Sequence, residues 1–140
     1  VPMLIDHIDA IARLKGRDVV YVTFPACANW FDIDVRNVDW NNYAPRDAII
    51  SWLNKNRIGW VPCANFANEN LMESYAGQIY IDVPFDPDDE TYRKVQEFLE
   101  NPDGTAKIEG VEFWYVPLAM AMKNKHHDHP GFWDEHAKTW

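Results

Sequence analysis

Four of the chain's five histidines crowd into one stretch, Lys125-His126-His127-Asp128-His129-Pro130-Gly131-Phe132-Trp133-Asp134-Glu135-His136. Neutral imidazoles beside carboxylates suit a divalent transition metal such as zinc, nickel or copper. His127 and His129 flanking Asp128, or His126 with His129, can present nitrogens to one ion, with His136 or Glu135 as a second pair. The spacing matches no named site, and a closed structural zinc site brings two well-separated ligand pairs. An exposed polar turn ahead of a short helix opened by Pro130 is therefore the competing expectation. Hydrolytic chemistry would need one of these histidines as a base beside Asp128 or Asp134, but no nucleophile accompanies them.

A second cluster is aromatic and acidic, Trp30-Phe31-Asp32-Ile33-Asp34 followed by Asp39-Trp40-Asn41-Asn42-Tyr43. Large aromatics carry binding energy when a partner buries them, and acids beside them favour a cationic or basic one. The alternative is that Trp30 and Trp40 pin a long connection to the body of the protein. A third grouping sits on strands: Tyr80, Trp114, Tyr115 and Trp60, with Asp82 or Glu112 supplying polarity. Cys27 and Cys63 are too few for a disulfide framework and lack the spacing of a zinc or redox pair, so both read as isolated thiols.

These residues must be positioned by regular elements, and the clearest runs from Gly77 to Asn101. Ile79, Ile81 and Val83 alternate with Gln78, Tyr80 and Asp82, the pattern of a strand. Asp86 as N-cap, Pro87 at the first helical position and Asp88, Asp89 and Glu90 in the first turn predict a helix start. Tyr92, Val95, Phe98 and Leu99 then recur at helical spacing until Asn101-Pro102-Asp103-Gly104. Upstream, an amphipathic helix over 3–15 shows a stripe of Leu4, Ile5, Ile8, Ile11 and Ala12, with Asp6, Asp9, Arg13 and Lys15 around it. The run VVYVTF at 19–24 predicts a strand covered on both faces. No helical period appears over 25–44, where WFDIDVR suits either a loop or an extra strand. A helix from Pro45 places Ile49, Trp52 and Leu53 inward and is expected to stop at Gly59. Trp60–Cys63 reads as an edge strand because Pro62 lacks a ladder donor. A helical turn around Leu71, Met72 and Tyr75 and a last strand, VEFWYVP at 111–117, complete the order.

The fold class expected is α+β, a ferredoxin-like split β-α-β-β-α-β antiparallel sheet over 18–117, with an extra N-terminal helix (1–16) and a C-terminal extension (118–140), in one domain. In that arrangement two helices cover one sheet face. The other must be shielded by the extra helix, by Leu118, Met120 and Met122, or by a second copy of the chain.

Composition narrows the function. The chain has 140 residues, seven tryptophans and a net charge of −9. Residues 1–60 are balanced, so the entire excess of acid falls on 61–140. Such a surface repels nucleic acid and anionic lipid and favours basic partners or cations. No apolar run approaches the ~18 residues of a membrane span, and the sequence reads as a soluble cytoplasmic protein. The expected function is a non-enzymatic acidic binding module. It would take a basic protein, in the manner of an immunity or inhibitor protein, or a small ligand, through Trp30, Asp32, Asp34, Trp40, Tyr80 and Trp114. The competing class is a metal-binding protein or metal-dependent enzyme using His126, His127, His129 and His136.

Overall fold

The computed structural model describes residues 6–24, 43–67 and 77–137. Trp30, Asp32, Asp34, Trp40 and Cys27, the strand weighed for 31–36 and the turn expected around Leu71 all lie outside the described residues.

The elements are α1 (Ile8–Lys15), β1 (Val19–Thr23), α2 (Ala44–Lys55), β2 (Trp60–Pro62), β3 (Ile79–Ile81), α3 (Glu90–Leu99), β4 (Glu112–Val116) and α4 (Leu118–Ala121). A 3-10 helix (Met122–Asp128) and α5 (Phe132–Ala137) follow. The protein is α+β, and its described residues form a four-stranded sheet in the order β2-β3-β1-β4. All neighbours are antiparallel, in a register that sets Val20 opposite Ile81 on one side and Tyr115 on the other. β1 and β3 are thus inner strands, which is why the run at 19–24 is apolar on both faces.

One face of the sheet carries Val20, Val22, Ile79 and Ile81 against Ile49 and Leu53 of α2 and Tyr92, Val95 and Leu99 of α3, all buried. Trp52 and Phe98 stack where the two helices meet, centroids 4.3 Å apart. The other face carries Val19, Tyr80 and Val116 against Ile8, Ile11 and Ala12 of α1 and Ala121 of α4. The extra helix and the segment after β4 therefore cover part of the face that α2 and α3 leave open.

Several local expectations are corrected. Asp9, placed by its type on the solvent side of α1, is wholly buried. It accepts from the Ala67 backbone N–H (2.9 Å), from Arg13 Nη1 (3.0 Å) and from Asn124 Nδ2 (3.0 Å). A buried carboxylate persists because each neighbour supplies a donor. α2 closes at Asn56, the C-cap and the last residue of the run RDAIISWLNKN, but the left-handed residue after it is Arg57, φ 59°, rather than Gly59. The Ile58 N–H returns to the Leu53 carbonyl (2.9 Å), closing the helix before the glycine. α3 begins three residues later than its first aspartate suggests. Asp86 accepts from the Asp88 N–H (2.9 Å) in a local turn, and Asp89 is the cap, accepting from the Tyr92 N–H (2.8 Å). The final helix starts at Phe132 rather than Pro130, and the turn before it is not wholly exposed, since His127 is buried.

Candidate functional site

Among the described residues, the eight of α1 cover only part of its sheet face. Ile8, Ile11 and Ala12 pack down onto Val19, Tyr80 and Val116, while Leu14, out of phase with that stripe, is left 80% exposed. Across from it, Val61 of the edge strand points to the same side as Tyr80, its register partner, and is 48% exposed. Between helix and strand lies an open groove of about 600 Å³, floored by Ile11 and Tyr80 and walled by Leu14, Val61 and Pro62.

Its two ends differ. At one end Asp6 lies near Pro62, because the backbone there is tied by Ala64 N–H to Asp6 carbonyl and Ile8 N–H to Ala64 carbonyl, both 2.9 Å. At the other end are Lys15, Gly59 and Asp82. The Tyr80 hydroxyl donates to Asp82 Oδ1 (2.8 Å), Arg17 Nη2 donates to both Asp82 Oδ1 (2.9 Å) and Tyr80 Oη (3.1 Å), and Lys15 Nζ lies 3.5 Å from Oδ1. Burial alone would raise the Asp82 carboxyl. The Tyr80 hydrogen bond and the charges of Lys15 and Arg17 outweigh it and hold Asp82 below the ordinary carboxylate range. Burial pushes the Tyr80 hydroxyl up to about 12, so it remains a neutral donor. An apolar trough closed by a fixed polar cluster can hold and orient an amphipathic molecule.

The other strand aromatics are separated from this groove. Trp60 borders it along the edge strand, with its indole Nε1 donating to Asn54 Oδ1 (3.0 Å). Trp114 and Tyr115, each 50% exposed, are on the opposite edge strand and on opposite faces of it. Trp114 Nε1 donates to Glu112 Oε2 (3.0 Å) and Thr23 Oγ1 (3.2 Å), and Tyr115 stacks on Phe85 at 4.3 Å. The structure thus brings Tyr80, Asp82 and Trp60 together and leaves Trp114 and Tyr115 elsewhere.

The tail histidines enter an aromatic cluster. His127 stacks on Phe132 (4.7 Å) and meets Trp133 edge-on (4.7 Å), His126 meets His127 at 4.3 Å, and His7 stacks on Trp133 at 5.1 Å. His129 is exposed, and the side chain of His136 lies outside the described residues. Asp128, offered as a carboxylate partner, is held bidentate by Arg13, Nε to Oδ2 at 2.7 Å and Nη2 to Oδ1 at 2.8 Å. Among the described residues no three His, Cys, Asp or Glu side chains converge as a metal site would require. Cys63 is buried and its thiol is pushed up by that burial, away from reactivity. Among these residues, too, no helix is long and apolar enough to cross a membrane.

Leu14, Val61, Lys15 and Arg17 escaped the sequence reading. The available signal was negative: Leu14 is an apolar residue off the stripe of its own helix, and Val61 precedes a proline on an edge strand. No protein-family model, curated protein or solved structure matches the chain.

Proposed function

We propose that the chain is a non-enzymatic binding module that holds a small amphipathic ligand in the groove between α1 and β2. The observation that carries this reading is that Leu14 and Val61, two exposed aliphatic side chains, line one groove together with a buried tyrosine whose hydroxyl bonds Asp82 and Arg17. The groove's volume falls in the roughly 300–1,000 Å³ range of small-ligand sites. Its polar groups bond to one another, which favours recognition over catalysis. The edge strand supports a small molecule over an added peptide strand, because Pro62 cannot donate outward.

The same reading places the core in the ferredoxin-like split β-α-β-β-α-β class. Support comes from the order β2-β3-β1-β4 and from α2 and α3 sharing one core. A soluble, cytoplasmic setting fits the acidic composition.

The test is saturable binding of the neutral solvatochromic dye Nile red. Wild-type protein should give a blue-shifted signal, and Leu14→Glu and Val61→Lys should each weaken it about tenfold, the effect expected from losing one buried aliphatic contact, with thermal stability kept. Undiminished binding in both variants would refute the groove.

A second reading has its own observation: half-exposed Trp114 stands beside Glu112 in a chain whose residues 61–140 carry the whole net charge of −9. This favours a basic protein docking on the β4 edge. Salt-sensitive binding of a basic protein that Trp114→Ala abolishes would support it, and binding insensitive to that substitution would end it.

A further inference from the structure

We infer that the ligand of the groove carries an uncharged head that both donates and accepts hydrogen bonds, a carboxamide or an alcohol, seated at the Lys15 and Asp82 end with its apolar body between Leu14 and Val61. This rests on the small-ligand reading above and specifies the chemistry of the head.

The two oxygens of Asp82 differ in their surroundings. The bonds from Tyr80 and Arg17 and the contact with Lys15 all reach Oδ1. Oδ2 lies on the side of Gly59, where a side-chain Cβ would stand at an ordinary van der Waals contact of 3.7 Å. Among the described residues no hydrogen bond or ion pair reaches Oδ2, and the side chain is 44% exposed, so Oδ2 can accept from a ligand. Lys15 Nζ, 3.5 Å from its carboxylate and on a side chain 39% exposed, is held loosely and has donors to spare. The end of the groove therefore offers one acceptor and one donor side by side, and a head with one of each satisfies both.

Charge selects against the alternatives. Asp82 is already paired with Arg17 and touched by Lys15, so an ammonium head approaching Oδ2 gains little charge and meets two cations close behind it. A carboxylate head can take Lys15 but then sets a like charge against Asp82. Counting Asp6 at the far end and Arg17, which bonds Asp82 from outside the lining, the ionic side chains at the groove cancel, although the chain as a whole is strongly acidic. A neutral head leaves the Arg17–Asp82 pair intact and pairs with what remains.

The experiment uses the full chain at neutral pH and three probes with one body: 4-phenylbutanamide, 4-phenylbutyrate and 4-phenylbutylamine. Affinity is read from NMR shifts of the Leu14 and Val61 methyls. The amide should bind roughly fivefold tighter than either charged probe, the worth of about one further hydrogen bond. In Lys15→Met and in Asp82→Asn that preference should shrink to below about twofold while the body still binds. A charged probe that binds wild-type protein as tightly as the amide overturns the inference and leaves the groove standing. If none of the three moves those methyls, the small-ligand reading itself fails.

Discussion

Asp9 is the residue on which the packing of α1 turns. Its carboxylate joins α1 to the backbone at Ala67 and to Asn124 of the 3-10 helix, and it pairs with Arg13, whose side chain is 5% exposed. Removing it leaves the buried Ala67 N–H without its acceptor, while Arg13 keeps Asp128 and the Ala121 carbonyl. Asp9→Ala should therefore cost about 1–3 kcal/mol, the usual penalty for leaving a buried donor unsatisfied; urea unfolding gives the value, and a loss under about 0.5 kcal/mol would mean that the site is wetter than its geometry implies. Asp82 makes a different prediction. Its folded-state pKa lies below the ordinary value, so its contribution is present above the unfolded pKa and is lost as pH falls through the folded one. Asp82→Asn should accordingly flatten the acid limb of the stability curve and leave the neutral region little changed in shape. An acid limb as steep as wild type's would show that the carboxylate is not depressed. Neither role was legible in the sequence: the pattern around Asp9 is that of a solvent-side acid, and only a contact more than fifty residues away makes it an interior one.

Among the elements, those with strong periodicity were legible and their ends were not. Val19–Thr23, Ile79–Ile81 and Glu112–Val116 lie inside the stretches whose alternation or apolar run announced them, and Pro62 marked an outer strand. The starts and stops moved because turn residues compete. Asp86 was taken up by its own turn, leaving Asp89 to cap, and Arg57 adopted the left-handed position that Gly59 had suggested. Two predictions belong at this scale. Gly110 has φ 82°, and a Cβ there would run into the Tyr43 hydroxyl at the head of α2. Gly110→Ala should therefore destabilise by about 2 kcal/mol, combining backbone strain with the clash. A melting temperature unchanged within error would show that Tyr43 moves aside freely. Pro62 guards the β2 edge, so Pro62→Val restores an outward N–H and should promote self-association that rises with concentration in light scattering. A variant that stays as dispersed as wild type would place the protection of that edge elsewhere.

For the whole molecule, the sheet of the described residues has two inner strands and a core on each face, and among those residues the second is covered only in part. α2 and α3 span one face, whereas α1 and α4 reach across only part of the other and leave the groove against β2. Tyr80 and Asp82 were singled out from the sequence because a strand residue with a polar neighbour on the less apolar side invites a site. Leu14 and Lys15 were not, since only the placement of α1 over the sheet makes them part of one. The most direct test of that arrangement is methyl NMR of the full chain against a mixed set of small fragments with apolar bodies and varied heads. Shifts concentrated at Ile11, Leu14 and Val61, with Tyr80 responding at its ring, are the predicted outcome. Fragments that bind but move only residues around Trp114 and Tyr115 would contradict the account.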